Sequence, residues 1–429
     1  MASGGVDLRG CARPTMRRQS LALCVAYDVA SSAYIFMIPG FAYAAYFRSY
    51  VAGDGPFADA LWSGVVATSL LSAGAAAPLV GAVADATGGR HVILAGSTIL
   101  CCLATALLAT VGKGAVLFGA LWFIVAHVGY LLAAGIYDSF LPLVSKRKRT
   151  AATSGLGWSL GYLGGIAAFV LCLPFIRGGL GEGNIANFRM TFIVTAGFFF
   201  IVSLPTLLFL PHSGIRGESG AAVDRLLSSP YARVWNTITS WRKNREAFKF
   251  LLAYYLINDG VVTVGYFCAI FFMTTFGLPV EQVLWLTLLF HVIAIPSTAF
   301  FGWLGQRWSE RGALYVTLAI WIVVLIIMAF ATQPFVPLLL TVLIGLVLGS
   351  TQALCRSLYT SIIPVERTSE FFGFNALAGR ASAALGPLLF GAVSTITGSQ
   401  RAGMLSLAVF IVAGAGILSR VRLSQREGS

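Results

Sequence analysis

The stretch LLLTVLIGLVLGSTQALCRSLYTSIIP, residues 338–364, decides the fold of this chain of 429 residues. It begins as an uncharged apolar run and keeps a single cation, Arg356, near its end. A run of about 20 apolar residues is long enough to cross the hydrocarbon core of a bilayer as a helix. Similar runs recur along the whole chain, which is 58% hydrophobic and 10% charged. Because a soluble domain carries roughly a quarter charged residues, the composition predicts an integral membrane protein.

Twelve apolar runs account for most of the chain. They lie at residues 20–47, 61–84, 91–111, 114–142, 151–176, 188–210, 247–275, 281–304, 312–331, 335–362, 370–397 and 402–420. These runs leave little chain for a separate soluble domain. We therefore predict an all-α integral membrane protein with twelve transmembrane helices.

The two halves of the chain resemble each other. YDSFLP at 137–142 matches YTSIIP at 359–364. Further on, Gly155 and Gly161 match Gly373 and Gly379. An internal repeat of this kind predicts two pseudo-symmetric six-helix halves with the same orientation. This is the major facilitator arrangement, in which the halves enclose a site near the bilayer midplane and rock around it.

The repeat and the apolar runs divide the chain into five parts. They are an N-terminal tail (1–19), a first half (20–210), a linker (211–246), a second half (247–420) and a C-terminal tail (421–429). The later part of the linker alternates aromatic and basic residues at helical spacing, which predicts an amphipathic helix on the inner face of the membrane. A linker helix packed under the bundle is the alternative.

Most of the 29 Lys and Arg residues fall on the side that would hold both chain termini. Lys and Arg are enriched in cytoplasmic loops, so we predict that both termini and the linker are cytoplasmic. The net charge of +13 suits anionic lipid headgroups, and we expect no nucleic-acid partner. The seven cysteines show no metal-binding spacing, and we predict neither a metal ion nor another cofactor.

Several motifs identify a family. A GxxxD…GR loop between the second and third runs comprises Gly81, Asp85, Gly88 and Arg90. Longer strings are YDVASSAY (27–34), SGLGWSLGYLGG (154–165), NDG (258–260), QALCRS (352–357) and EFFGFNALAGRASAALGP (370–387). On these residues the chain resembles the vacuole-effluxer-like family of the major facilitator superfamily. That family includes the fungal autophagy-related vacuolar amino-acid effluxer and many bacterial permeases.

The resemblance implies a secondary transporter of an amino acid in the cytoplasmic (inner) membrane of a bacterium. It also implies a gating role for the loop from Gly81 to Arg90. We further predict that Asp85 docks near the start of the eleventh helix, around Ser369 to Phe372, because a helix N-terminus favours a negative charge. The chain departs from the family pattern because Ala86, rather than a basic residue, follows Asp85. A weaker gating contact is expected from this departure.

Two carboxylates lie at equivalent depths of the two halves. Asp28 follows Arg18 by ten residues, and Asp259 follows Lys249 by ten. At 1.5 Å per residue, both should lie about 15 Å inside a core about 30 Å thick. Burial disfavours the charged form of a carboxyl group, so either side chain can exchange a proton. We predict that both face a shared central cavity, together with their neighbours Ser31 and Asn258; a carboxyl that only joins helices is the alternative.

Two arginines lie within the second half. Arg356 is flanked by Gln352 and Tyr359 at about one helical turn, and Arg380 follows Asn375. A guanidinium offers a fork to a carboxylate, so we predict that these residues bind an anionic group of the substrate. For Arg356, a fixed pair with a buried acid is the alternative, and Asp259, Asp138 and Asp28 are the candidate partners.

Two further features complete the prediction of function. Asp138 lies closer to the inner surface, so it is predicted to act either in gating or in proton coupling. His127 and His291 are interpreted as packing or hydrogen-bonding side chains. We predict a monomeric, proton-coupled transporter of a small polar metabolite, and no enzyme, because no nucleophile elbow, Walker loop or metal cluster is present. The alternatives are an exporter of amphiphilic drugs or lipids, or a membrane sensor that binds a ligand without moving it.

Overall fold

The computed structural model describes residues 14–53, 55, 57–138, 140, 150–209, 245–362, 379 and 382–421. Within these ranges, the side chains of residues 14–21, 85–86, 150–159 and 360–362 lie outside the description. The described residues form helices and no strand. The predicted linker falls almost wholly outside them, since the description resumes at Arg245.

The helices follow one another in an up-and-down order. They are α1 (Pro14–Met37), α2 (Tyr43–Tyr46), α3 (Ala58–Thr87), α4 (Arg90–Leu107), α5 (Val116–Asp138), α6 (Thr150–Ile176), α7 (Ile185–Phe209), α8 (Arg245–Thr275), α9 (Val280–Arg307), α10 (Glu310–Phe330), α11 (Val336–Ile362), α12 (Leu385–Thr397), α13 (Gln400–Ser406) and α14 (Ala408–Ser419). Two π-helical segments, Ile38–Ala42 and Phe47–Val51, join α1 and α2 into one continuous span. Pro39 accounts for the first, because it lacks the N–H of a regular α-helix and clashes with the preceding turn.

Ten helical stretches of the described chain are long and apolar enough to cross a membrane. Two shorter apolar helices, Leu160–Ile176 and Leu385–Thr397, fall within the remaining two predicted runs. In a bilayer a helix satisfies its own backbone hydrogen bonds, so apolar runs of this length have few other stable conformations. The predicted all-helical membrane architecture is therefore confirmed.

The alternation of the helices defines two faces of the bundle. The termini face holds the start of α1 and the ends of α5 and α14; the opposite face holds the links from α1 to α3, from α8 to α9 and from α12 to α13. Within the first half, α1 packs on α6 and α7, and α4 packs on α5. Within the second half, α9 packs on α11, and α8 packs on α14. Among the described residues, the most extensive contacts between the halves are those of α3 with α12 and of α6 with α9.

The loop between α3 and α4 forms as the motif predicts. Gly88 ends α3 with a φ of +65°, in the left-handed region where glycine avoids the steric cost of a side chain. Arg90 then begins α4. The Asp85 side chain and its predicted docking site at Ser369 to Phe372 both lie outside the described residues, so the gating role of this loop stays a prediction.

Candidate functional site

A cavity of about 290 Å³ lies between the two halves. Helices α1 and α5 of the first half and α8, α9 and α11 of the second half contribute its walls. Most of the wall is apolar or aromatic, and the polar side chains lie on a few positions of these helices. The described residues with polar groups are Tyr27, Asp28, Ser31, Ser32, Tyr130, Tyr137, Asp138, Tyr266, Thr287, His291, Thr341, Gln352 and Arg356.

Asp28 lies in this cavity and is bound by a tyrosine of a neighbouring helix. The Tyr137 hydroxyl is 2.9 Å from Asp28 Oδ2 and 2.8 Å from the Cys24 carbonyl oxygen. Ser31 Oγ donates a 3.3 Å hydrogen bond to the Asp28 carbonyl. Since Tyr137 has one hydroxyl proton, a charged Asp28 competes with Cys24 for it. A protonated Asp28 instead donates to the Tyr137 oxygen, and Tyr137 then donates to Cys24.

Arg356 lies in the cavity wall and pairs with Asp138. Arg356 Nη2 is 3.7 Å from Asp138 Oδ1, and their side chains are 34% and 46% exposed. Of the three acids proposed as partners, this is the one that the structure places at ion-pair distance. The pair joins α11 to α5, hence one half to the other, near the termini face. Because it is exposed and longer than a direct hydrogen bond, it contributes little to stability.

Gln352 lies one turn before Arg356 and also lines the cavity. Its side-chain carbonyl oxygen, Oε1, is buried and has no hydrogen-bond partner among the described residues. A buried acceptor without a partner costs about 1–3 kcal/mol. The site therefore holds an acceptor that a hydrogen-bond donor of a ligand can satisfy.

Asp259 does not share this cavity, and the prediction of a common location with Asp28 is wrong in this respect. Asp259 is 1% exposed, and both carboxylate oxygens are 2.9 Å from the amide nitrogen of Gly386. Gly386 is the second residue of α12, so Asp259 places a negative charge at a helix N-terminus, where the helix dipole favours it. The sequence fixes the depth of Asp259 along α8, but the packing of α12 decides which face of α8 is covered.

Other predicted site residues are also separated from the cavity. Tyr359 stacks on Phe250, with ring centroids 6.1 Å apart. Asn258 is half-buried in α8 and is absent from the described cavity wall. Asn375 and Arg380 lie outside the described residues. The structure thus brings together Asp28, Ser31, Asp138, Gln352 and Arg356; their roles in substrate or proton binding stay predictions.

The far end of the cavity is aromatic. His291 is buried, its Nδ1 is 2.6 Å from the Thr287 carbonyl oxygen, and its ring lies 4.3 Å from that of Phe36. The His127 ring nitrogens are 3.4 Å from the Tyr34 hydroxyl and 3.3 Å from the Tyr266 hydroxyl. Both histidines therefore hydrogen-bond and pack, as the sequence indicated.

Two candidate functional residues, Tyr137 and Tyr266, were not predicted from the sequence. Tyr137 binds Asp28, and Tyr266 connects the cavity wall to His127. Tyr137 stands beside Asp138 in the repeated YDSFLP string, which was a usable signal for its importance. No sequence signal placed its hydroxyl beside Asp28, since that contact depends on how α5 packs on α1. Among the described residues, no group of three or more His, Cys, Asp or Glu side chains could hold a metal ion.

The sequence matches a known family and its members. A family model described as "Vacuole effluxer Atg22 like" matches residues 63–428. The chain is 27% identical over 409 residues to the uncharacterized MFS-type transporter YxiO of Bacillus subtilis, covering 92% of this chain and 93% of that protein. It is 23% identical over 307 residues to autophagy-related protein 22 of Cryptococcus neoformans var. neoformans serotype D. That match covers 67% of this chain and 55% of the relative, so the chain spans about half the length of the fungal relatives.

Solved structures match over nearly the whole chain. The nucleoside transporter NupG aligns with a TM-score of 0.68 at 18% identity, covering 94% of this chain and 99% of that one. A bacterial homologue of the human lysosomal transporter Spinster, in an inward-facing and unoccupied conformation, aligns with a TM-score of 0.68 at 15% identity, covering 97% and 100%. These likenesses show the fold, which is the predicted major facilitator fold of twelve transmembrane helices in two six-helix halves.

Proposed function

The chain belongs to the Atg22-like vacuole effluxer family of major facilitator transporters, and we propose that it transports an α-amino acid coupled to protons. The observation that carries this proposal is the meeting of Asp28, Gln352 and Arg356 around one cavity. The family and the fold support transport, whereas the substrate and the coupling rest on these side chains. The description of the family as vacuole effluxers supports transport in the direction of efflux.

The three polar side chains complement the head group of a free amino acid. The guanidinium of Arg356 can hold the carboxylate of the substrate through two parallel hydrogen bonds. The carboxylate of Asp28 and the unpaired Oε1 of Gln352 can both accept hydrogen bonds from its ammonium group. Asp28 belongs to the first half, whereas Gln352 and Arg356 belong to the second. A substrate held by all three therefore bridges the two halves.

The size of the cavity favours a small metabolite over an amphiphilic drug or a lipid. Its volume of about 290 Å³ is at the lower end of the range for small-molecule sites, roughly 300–1,000 Å³. The remainder of the wall is largely apolar and aromatic, which suits the side chain of an amino acid better than a second charged group.

The contacts of Asp28 support proton binding at this residue. Tyr137 can donate its proton to the charged carboxylate of Asp28, and it can accept a proton from the protonated carboxyl while it donates to the Cys24 carbonyl. Asp138 and Arg356 line the same cavity as Asp28. Protonation of Asp28 removes one of the two acceptors of the substrate ammonium group. Proton binding and substrate binding at this site therefore oppose each other.

The Arg356–Asp138 pair provides a route from substrate binding to a conformational change. A substrate carboxylate that binds the guanidinium competes with Asp138, which pairs with it only loosely. When the substrate carboxylate displaces Asp138 from Arg356, a contact between the halves near the termini face is broken. A ligand shifts a conformational equilibrium by its difference in affinity for the two states, and this exchange supplies such a difference. We place both termini in the cytoplasm of a bacterium and the protein in its inner membrane, consistent with the Lys and Arg distribution.

Transport by purified protein in liposomes tests the proposal. We expect counterflow of at least one amino acid, and accumulation of that amino acid when a pH gradient is imposed. Asp28→Asn should keep counterflow at a reduced affinity and lose the response to the pH gradient. Ser32→Ala, which removes a cavity hydroxyl on the same helix, is the matched control and should keep both. Saturable binding without counterflow would indicate a sensor, and pH-driven accumulation by Asp28→Asn would show that the proton binds elsewhere.

A further inference from the structure

The opposite face of the bundle holds a polar cluster centred on Asp59. This carboxylate, at the start of α3, is 8% exposed. Ser394 Oγ of α12 donates to Asp59 Oδ2 at 2.7 Å. Gln400 Nε2 of α13 lies 2.8 Å from Oδ1 and 2.9 Å from Oδ2. Arg48 Nε, from the first half, lies 3.4 Å from Oδ1. A buried negative charge of the first half is therefore satisfied largely by donors of the second half.

Gln400 extends the cluster to a third helix of the second half. Its Oε1 accepts hydrogen bonds from Thr274 Oγ1 and, at 3.2 Å, from Thr275 Oγ1 at the end of α8. The amide is thus fully oriented, since its nitrogen faces Asp59 and its oxygen faces the two threonines. Hydrogen bonds to a charged group in a water-poor site are strong and directional. The cluster holds α3 to α8, α12 and α13 at one point.

One turn deeper, the same interface has no room for a side chain. A Cβ atom built on Gly391 would lie 2.5 Å from Ser63 Cβ and 3.4 Å from Ala60 Cα. Cβ atoms do not approach each other this closely, so only glycine permits this approach of α12 to α3. Ser63 follows Asp59 by one helical turn, and Gly391 precedes Ser394 by nearly one turn. The close packing and the polar cluster are therefore two parts of one contact between the halves.

Among the described residues at the termini face, the ion pair between the halves is longer and more exposed. This pair, Arg356 with Asp138, is 3.7 Å apart and 34% and 46% exposed. The side chains of Arg48 and Asp59 are only 14% and 10% exposed. The described residues thus show a close, buried contact between the halves at the opposite face and a longer, more exposed ion pair at the termini face.

We propose that Asp59, Ser394 and Gln400, with the close approach of Ser63 to Gly391, form the gate that closes the opposite face. Asp59 acts as the positioning residue of this opposite-face gate, because it accepts hydrogen bonds from Ser394 of α12 and from Gln400 of α13. Opening that face separates the halves at this point, so the Asp59 bonds and the glycine contact are lost together. Weakening either part shifts the equilibrium toward the state that is open at the opposite face. This proposal depends on neither the amino-acid substrate nor proton coupling.

A native cysteine provides the readout. Cys268 of α8 lines the cavity, whereas the other described cysteines are buried. A membrane-impermeant thiol reagent added to intact cells reaches one face of the protein, and the same reagent added to inverted vesicles reaches the other. The rate of Cys268 labelling from each side reports which face is open. Cys268→Ala identifies the part of the signal that comes from this residue.

Two variants test the two parts of the gate separately. Asp59→Asn keeps the shape of the side chain but removes its charge, and Gly391→Ala introduces a methyl group where none fits. Each should raise labelling from the opposite face at least about tenfold, the change that corresponds to the loss of one hydrogen bond to a charged group. Ser69→Ala is the matched control on α3 and should leave both rates unchanged. Among the described residues, the Ser69 hydroxyl donates within its own helix, to the Val66 carbonyl.

Unchanged labelling of both variants would overturn the proposal of a gate. If Gly391→Ala and Asp59→Asn are both extracted as folded protein and label from the opposite face at the rate of the unsubstituted protein, this contact does not control access. Ser394→Ala, a milder change, replaces Asp59→Asn if the latter fails to fold, with the same two outcomes. The readout requires no substrate, so its failure leaves the proposed function untouched, and failure of transport leaves the gate untouched.

Discussion

Substitution of Arg356 separates a binding role from a structural one. We expect Arg356→Gln to fold normally and to lose affinity for the substrate carboxylate. The structure sets the first expectation, because the pair with Asp138 is 3.7 Å long and 34% and 46% exposed. An exposed ion pair of this kind contributes about 1 kcal/mol or less to stability. The loss of a charge-assisted contact to the substrate should cost about 1.5–3 kcal/mol of binding free energy, roughly a 10- to 150-fold rise in Kd.

Arg356→Lys refines the same prediction. Lysine keeps the charge but cannot offer two parallel hydrogen bonds in the fixed geometry of a guanidinium. We therefore expect an affinity between those of the unsubstituted protein and Arg356→Gln. The assay is thermal unfolding of the detergent-purified variants, with and without amino acids, together with the yield of folded protein.

A second arginine serves as the control for stability. Arg311 donates hydrogen bonds to the carbonyls of Leu418 and Ser419, both at 2.8 Å, and of Val421 at 3.2 Å. Its guanidinium therefore binds the end of α14, outside the cavity. Arg311→Gln should lower the unfolding temperature and keep the ligand-induced shift, the reverse of Arg356→Gln. A low yield of Arg356→Gln that Asp138→Asn restores would refute the binding role and establish a structural pair.

Three further predictions concern residues in or near the cavity wall and the buried carboxylate of Asp259. Gln352→Leu should lose substrate affinity without loss of thermal stability, because it replaces a buried acceptor that has no described partner; a drop in stability with unchanged binding would contradict this. Asp259→Asn should lower the free energy of unfolding by about 1–3 kcal/mol, and hence the unfolding temperature. It should keep the ligand-induced thermal shift, since Asp259 binds Gly386 and does not line the cavity. Tyr137→Phe should alter the pH dependence of transport more than the affinity at a fixed pH, because it removes the donor to Asp28; unchanged pH profiles would exclude this role.

The sequence by itself determined the number, approximate length and order of the apolar runs that span the membrane. The bilayer has a fixed thickness and offers no hydrogen bonds to the backbone, so each apolar run of sufficient length becomes a spanning helix. Eleven of the predicted runs coincide with described helices over most of their length, and the described part of the run at 370–397 begins its main helix at Leu385. The same distance rule placed Asp28 and Arg356 inside the membrane, and the structure finds both in the cavity wall.

The tertiary structure alone decided which side chains meet. Depth along a helix follows from residue spacing, but the direction that a side chain faces depends on which neighbour covers that side. Asp28 and Asp259 each follow a cation by ten residues, yet one lies in the cavity and the other binds the start of α12. Likewise, three acids were possible partners of Arg356, and only the packing of α5 beside α11 selected Asp138.

The residues of the opposite-face gate also could not be predicted from the sequence. Asp59 and Gln400 lie at helix ends, where polar residues are common on any membrane protein, so nothing in the sequence distinguished them. They are 341 positions apart in the chain, and their contact exists only because the two halves fold against each other. A residue pattern therefore reports the interaction of each helix with the bilayer, which is local, whereas a site between the halves requires the packed structure.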